Sequence, residues 1–433
     1  MDAPLICDTK MLRSLFTESK NIKKDSYLWN TLSATLFAMQ SAIVLIAITH
    51  TGGLEDAGVF SIAYAVGSLM YYIGEYGVRK YQVSDVNEEM SFTDYHSHRI
   101  VSCTLMLAAS MIYVLNGYMR LGYSPQKAYI VVIICLIKVV EAYSDVYFGR
   151  YQQVGRLDVS AKTNFYRLAI GVAGCIAALL VTHDLAVSMT VWFVLVVFGL
   201  LTSSVLVYKD FGTLEFRFDR GRITKIFIES FPLFAGYFLL LYVGNAPKYA
   251  IDACMTDVDQ ACYNFIFMPV FAIGLFANFI FNPILVTLAH RWDEKNIREF
   301  NKIVIRQTGV IAGITFLAIA VALTIGAPVL GFMYNADLSA YKTDLAILMV
   351  GGGMLALVNF FVVVITVMRY QKHLVAGYVV MAVIAGLTAD RVVMAYGIRG
   401  ASLLYTVLMT AQALIFAALT VWFIGKGKKE TAD

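Results

Sequence analysis

Charge is what this sequence has least of. Asp, Glu, Lys and Arg make up 15% of its 433 residues, where a water-soluble domain carries about 25%. With 59% of its residues hydrophobic, the chain cannot present a wetted surface on every side. The formal net charge is only +4 and no domain is strongly basic, so a nucleic-acid partner is not expected. The glycine-rich loop ending in Lys-Ser or Lys-Thr that cradles nucleotide phosphates is absent, so ATP is not the direct energy source. The six cysteines, Cys7, Cys103, Cys135, Cys175, Cys254 and Cys262, form no CxxC pair, and most lie in apolar runs as small core residues. Cys254 and Cys262 flank one predicted outer loop, but a disulfide there is not expected. Histidine is scarce too: His50, His96, His98, His183, His290 and His373 all fall at span ends or in loops, so no buried catalytic histidine is expected. The predicted outer loops are too short for the carboxylates or histidines of a membrane glycosyltransferase or polymerase. The sequence therefore points away from an enzyme and from any cofactor.

What the sequence does have is apolar length. A helix needs about 20 apolar residues to cross the hydrocarbon core. Runs of that size recur at 28–50, 57–78, 99–118, 128–149, 160–182, 187–208, 230–251, 260–286, 304–326, 343–367, 374–392 and 397–424. They are too long for barrel strands, so the expectation is an all-α polytopic membrane protein of about twelve spans. Residues 1–27 are polar, and the run after them lacks a small-residue cleavage site, so it is expected to stay as a span. Of the 34 Lys and Arg residues, 26 fall on one side of this layout and 6 on the other. The excess marks the cytoplasmic side and places both termini there.

The basic stretch 209–229 splits the chain into halves of six spans, 28–208 and 230–424, followed by a tail, 425–433. Leu54–Ile73 can be laid over Asp257–Phe276, each an acidic turn before an aromatic-rich span. Two halves in one orientation, related by an axis along the membrane normal around a central cavity, are a transporter architecture.

The exceptions to apolarity carry the functional argument, because an ionisable group inside a span needs a partner or water. In the fourth span Lys138, Glu141, Asp145 and Gln152 recur at helical spacing on one face. Arg167 in the fifth span lies near their depth, and an ion pair with Asp145 or Glu141 is one reading; attraction of an anionic substrate by Lys138 or Arg167 is the other. The second span ends with Glu75, Arg79 and Lys80, of which Arg79 and Lys80 also suit interfacial anchoring. The seventh carries Asn245, Pro247, Lys248, Tyr249 and Asp252, with Lys248 and Asp252 spaced to pair. The eighth adds Pro269, Asn278, Asn282 and Pro283, and the tenth adds Asn359 and the Gly351–Gly353 run, which suits close helix packing better than phosphate binding.

These residues resemble a known family. Gly53, Glu55 and Asp56, then Ala57–Ser61, then Gly77, Arg79, Tyr81, Gln82 and Asp85 look like the opening of Wzx-type polysaccharide biosynthesis flippases of the multidrug/oligosaccharidyl-lipid/polysaccharide (MOP) exporter superfamily. Residues 145–159 resemble the family's junction between spans four and five. Asn245, Pro247, Lys248 and Tyr249 resemble its Pro-Arg-Tyr element, with Lys248 where Arg is commoner. Lys meets phosphate as a point charge and not as a bidentate fork. The two extra spans of the lipid II flippase branch are missing, which argues against a peptidoglycan precursor.

The resemblance implies a cargo: an oligosaccharide on polyprenyl pyrophosphate, moved from the inner to the outer leaflet of the bacterial cytoplasmic membrane. Lys138, Arg167, Lys248, Arg79, Asn245 and Tyr249 are then the candidate substrate contacts. Glu75, Glu141, Asp145 and Asp252 are the candidates for coupling a proton or sodium ion. Membrane lipids and other polysaccharide-assembly proteins are the implied partners. The rivals are a drug/cation antiporter of the same superfamily, which would want an acidic cavity, and a non-transporting component of a glycan-assembly complex. The topology has a direct test. A phosphatase reporter that works only outside the cytoplasm should be active when fused after Met255 and silent when fused after Phe218; the reverse pattern would invert the layout.

Overall fold

In lipid the backbone must satisfy its own hydrogen bonds, so apolar runs of span length fold as helices. The computed structural model describes residues 13–85, 87–208 and 217–430, and among these only helices and connecting turns occur. The side chains of 272, 275–283, 286 and 427–430 lie outside that description, and with them Asn278, Asn282 and Pro283. So do Cys7 and the first part of the basic stretch, 209–216.

The helices begin where the sequence supplies caps. The side chain of Asn21 accepts from Lys24 N at the start of α1 (Ile22–Thr51). Next, α2 (Gly53–Glu75) ends at a left-handed pair, Tyr76 (φ 53) and Gly77 (φ 70), and α3 (Val78–Ser84) starts afresh. Glycine is required at 77 on two counts: its φ, and a Cβ there would stand 2.9 Å from Leu233 Cβ. A capping box of Ser91 and Asp94 opens α4 (Phe92–Arg120). Ser124 and Pro125 open α5 (Pro125–Gln153). Then come α6 (Leu157–Thr182), α7 (Leu185–Leu206, capped by Asp184) and α8 (Arg220–Cys254). A second capping box, Thr256 with Asp259, opens α9 (Asp257–Asp293). Helix α10 (Ile297–Val321) runs through a π-helical turn, Ala322–Gly326, into α11 (Ala327–Tyr334). Last are α12 (Lys342–Val367) and α13 (Leu374–Glu430), the latter broken at Gly397, whose backbone is not helical.

Nine of the described helical segments are long and apolar enough to cross a membrane. The last of them holds two spans, one on each side of Gly397, and α5 and α9 are long enough to join the set, which makes twelve. The expected all-α polytopic fold is what the chain adopts. The expected boundaries fall short at the start of the seventh span, whose helix begins at Arg220 and not at 230, and at the start of the third. The expected run of the third span, 99–118, leaves residues 92–98 in a loop, but the Ser91–Asp94 cap starts the helix there, and Tyr95, His96, Ser97, His98 and Arg99 are all buried.

The chain divides into two compact units, Met1–Tyr237 and Phe238–Asp433. In the first, α5 is the hub and packs against α2, α3, α4, α6 and α7. In the second the hub is α12, against α9, α10 and α13. Gly351, Gly352 and Gly353 make that closeness available. Cβ atoms there would meet the Tyr405 ring, the side chains of Ile273 and Val270, and Thr315 Oγ1 respectively. Cys254 and Cys262 are free thiols. Adding bulk at the tightest of these contacts should overpack it. Gly353→Val should cost about 1–3 kcal/mol and lower the melting temperature of the purified protein, whereas Gly313→Ala, with open space around it, should leave it unchanged.

Candidate functional site

The polar face of α5 is the starting point, because a charged helix face cannot be left against lipid. It meets side chains from four helices. Lys138 Nζ donates to Glu141 Oε2 at 2.7 Å and to the Tyr64 hydroxyl of α2 at 3.1 Å. The ammonium also lies over the rings of Tyr64 (4.4 Å) and Phe37 (5.1 Å). Glu141 Oε1 accepts from Gln40 Nε2 of α1 at 3.3 Å. Lys138 and Glu141 are both 3% exposed, so the pair is held out of water.

One turn on, Asp145 is shared by two arginines. Its Oδ1 accepts from Arg79 Nη1 of α3 at 3.1 Å, and its Oδ2 from Arg99 Nη2 of α4 at 3.2 Å. Arg79 turns its other donors to Gln152 Oε1, at 3.2 and 3.0 Å. Arg99 is 0% exposed and gives Nη1 to the Gly74 carbonyl at 2.5 Å, where Ser102 Oγ also donates at 2.7 Å. Gly74 lies in the last turn of α2, whose carbonyls have no partner within the helix. Arg99 therefore closes the end of α2 and pairs Asp145 at once. Just past that end, Glu75 Oε2 accepts the Gly77 N–H at 3.0 Å, and among the described residues Glu75 makes no ion pair.

Arg167 on α6 does not meet Asp145 or Glu141. It faces the adjoining side of α5, where Nη1 donates to Ser144 Oγ (2.5 Å) and the Val140 carbonyl (3.3 Å), and Nη2 donates to Asn164 Oδ1 (2.8 Å). Its guanidinium also sits 5.7 Å from the centre of the Phe148 ring. The reason is rotation: Ser144 and Val140 are one residue back from Asp145 and Glu141, about 100° around the helix. Arg167 is 5% exposed, and among the described residues no carboxylate pairs with it.

On the next side of α5, Tyr143 and Tyr147 face α4. His96 Nε2 shares a hydrogen bond with the Tyr143 hydroxyl at 2.8 Å, and Tyr147 stacks on Tyr208 with centroids 4.0 Å apart. His96 and His98 are both 0% exposed, contrary to the expectation of peripheral histidines. Between α3 and α4, Asp85 accepts from Glu89 N (2.9 Å), Met90 N (3.0 Å) and the Tyr95 hydroxyl (2.9 Å). Burial works against its charge, yet these hydrogen bonds hold the Asp85 carboxyl below the usual aspartate range. Lys80 donates to the Tyr237 hydroxyl, and Tyr237 stacks on Tyr72.

In the second unit the candidate residues lie on α8. Lys248 is 4% exposed, with Nζ 4.4 Å above the centre of the Phe267 ring and 5.9 Å from that of Phe271. Among the described residues it makes no ion pair, and the pairing with Asp252 that the spacing suggested is not formed. Asn245 and Asp252 are buried beside it on the same helix, and Tyr249 stacks on Tyr242 at 6.2 Å. The structure thus gathers Arg79, Glu141, Asp145 and Lys138 with Gln40, Tyr64 and Arg99, none of which the sequence had singled out. Arg99 stands at the very start of the expected third span; the Ser91-x-x-Asp94 capping pattern is the sequence signal that a helix begins a turn or two earlier and carries Arg99 into the interior.

The family described as polysaccharide biosynthesis protein matches residues 24–289. No curated protein matches the chain in sequence. Among solved structures, a multidrug resistance MATE family transporter of the MOP superfamily in its inward-facing conformation is similar over 92% of this chain and 99% of its own, at 10% identity and TM-score 0.69. A eukaryotic MATE transporter, AtDTX14, covers 98% of this chain and 99% of its own at 14% identity and TM-score 0.57. A MOP superfamily transporter from Pyrococcus furiosus, described as having a binding pocket of reverse polarity, covers 96% and 98% at 11% identity and TM-score 0.55. At these identities the likeness is one of fold.

The Asp145 geometry sets up a stability test. Asp145→Asn leaves Arg99 buried without its counter-charge, which should cost about 3–5 kcal/mol. Thermal unfolding in detergent should show the loss, and Arg79→Gln, which removes the more exposed partner, should cost clearly less. Equal losses would place Arg79 and not Arg99 at the centre of the network.

Proposed function

The chain belongs to the polysaccharide biosynthesis protein family, and on that premise we propose that it is a flippase for an anionic, lipid-linked oligosaccharide. The cargo in this reading is an oligosaccharide on polyprenyl pyrophosphate. It passes from the inner to the outer leaflet of the bacterial cytoplasmic membrane, with both termini of the protein inside, and supplies cell-surface polysaccharide.

One observation carries the reading: the buried cations are of two kinds. Lys138, Arg79 and Arg99 have carboxylates, whereas Arg167 and Lys248 have none among the described residues. A buried charge without a counter-charge is costly, and it is retained where a ligand supplies the missing sign. Both uncompensated groups are positive, so the ligand they suit is an anion. A pyrophosphate at the root of a lipid-linked glycan has that charge, while its polyprenyl tail can stay in the bilayer. In this reading Asn245, three residues before Lys248 and on the same helical face, and Tyr249 extend the contact to the sugar.

A cation or drug antiporter is the rival, since the neighbouring folds include multidrug transporters. Such a carrier needs carboxylates free to meet a cation, and Asp145 and Glu141 are already paired with Arg79, Arg99 and Lys138. That counts against it. Glu75, whose carboxylate among the described residues is met only by the Gly77 N–H, is the carboxylate we assign to ion coupling.

Arg167→Ala and Lys248→Ala should each lower export of surface glycan roughly tenfold or more, the scale of losing one charge-assisted hydrogen bond. The proteins should still reach the membrane, and lipid-linked oligosaccharide should accumulate on the inner leaflet. Normal export by both variants would refute an anionic cargo at these residues.

A further inference from the structure

The core of the second unit contains a group of polar side chains that nothing so far explains. Gln260 and Tyr263 stand one turn apart on α9, and Ser402 and Tyr405 one turn apart on α13. All four are 0% exposed. Both amide atoms of Gln260 and the hydroxyls of Tyr263, Ser402 and Tyr405 lack a hydrogen-bond partner among the described residues. The two tyrosines touch the same ring: Phe267 lies 5.8 Å from Tyr263 and 4.9 Å from Tyr405, centroid to centroid. That ring is the one over which Lys248 Nζ sits, at 4.4 Å. Three helices, α8, α9 and α13, thus bring an uncompensated ammonium and two tyrosines with unsatisfied hydroxyls around one phenylalanine, with Gln260 and Ser402 one helical turn from the tyrosines.

A single orphaned hydroxyl in a packed core is tolerable, but four unsatisfied side chains within one turn of each other on two helices are not, since native proteins pair such groups with protein atoms or ordered water. No carboxylate belongs to the set, which argues against a metal ion. Every member can donate a hydrogen bond and the hydroxyls and the Gln260 carbonyl can accept one, which is what a water molecule with two to four partners requires.

We propose that Gln260, Tyr263, Ser402 and Tyr405 bind a buried cluster of ordered water molecules that reaches Lys248 and solvates its ammonium. Where Lys248 has no ion pair, water takes the place of a counter-ion. It also prepares the site for an anion, because phosphate oxygens accept the same hydrogen bonds as the waters they displace. Only this last step rests on the cargo proposed above; the waters themselves do not.

X-ray radiolytic labelling of the purified protein in detergent, without cargo, tests the cluster directly, because hydroxyl radicals form from bound water where they stand. Tyr263 and Tyr405 should be oxidised well above the equally buried Phe265, which packs against Tyr334. Labelling at the Phe265 level would overturn the proposal. Thermal unfolding gives an independent reading. Tyr405→Phe should lower the melting temperature if its hydroxyl binds water; an unchanged or raised value means the hydroxyl is dry and the proposal fails. In a cycle with Lys248→Met the two losses should be non-additive if the waters reach the ammonium, whereas additivity would cut Lys248 from the cluster. Failure of glycan export in Lys248→Met with labelling intact, or the converse, separates the cargo from the water.

Discussion

The Asp145 carboxylate is the point on which the first unit is hung. Its two oxygens reach arginines on different helices, and one of those arginines also holds the last turn of a third. In water such pairs contribute little, because both partners are already solvated. Here Arg99 is wholly buried, so the alternative to pairing is an isolated charge in a medium that cannot screen it. The geometry of α2, α3, α4 and α5 is thereby fixed relative to one another, and the break at Tyr76–Gly77 becomes tolerable because the carbonyl before it is occupied. Lys138 and Glu141 repeat the arrangement one turn away, with Gln40 using the second carboxylate oxygen.

Around this compensated core, Arg167 stands out by what it contacts. Its partners are a hydroxyl, a backbone carbonyl and a side-chain amide, all neutral. They orient the guanidinium without cancelling its charge, and the same is true of the aromatic rings beside Lys248. The chain thus treats its buried cations in two ways. Paired charges fix helices, and unpaired ones are left with a positive field.

The fold was largely legible because it is written in the length of apolar runs, and lipid permits only one backbone solution to them. The charged stripe of α5 was legible for the same reason: four polar residues at helical spacing in an otherwise apolar span have a single geometric meaning. Their partners were not. Arg99 looked like the first residue of its span because the polar start of α4 resembles a cytoplasmic segment, and only the interior contacts show why a helix can begin there with two histidines and an arginine buried. Arg167 illustrates a different limit. Sequence gives depth well enough to place it beside Asp145, but the choice between Asp145 and Ser144 is a rotation of one residue, which is settled by helix packing and not by hydropathy. The orphaned hydroxyls on α9 and α13 were invisible because Tyr and Ser pass as ordinary members of an apolar span.

Helix α5 is not among the segments apolar enough to be recognised as spans by themselves. Two carboxylates and an ammonium near its middle would each cost several kcal/mol to place in hydrocarbon alone. The partners of those charges, Gln40, Tyr64, Arg79 and Arg99, all precede α5 in the chain, whereas the sides that meet Arg167 and Tyr208 are completed later. During synthesis the receiving surface therefore exists before the reluctant helix emerges. Integration of α5 is then an assembly step and not a partition step: the helix leaves the insertion machinery into the company of α1 to α4, and a defect in any of those charges would appear first as a failure of biogenesis, before any cargo is met.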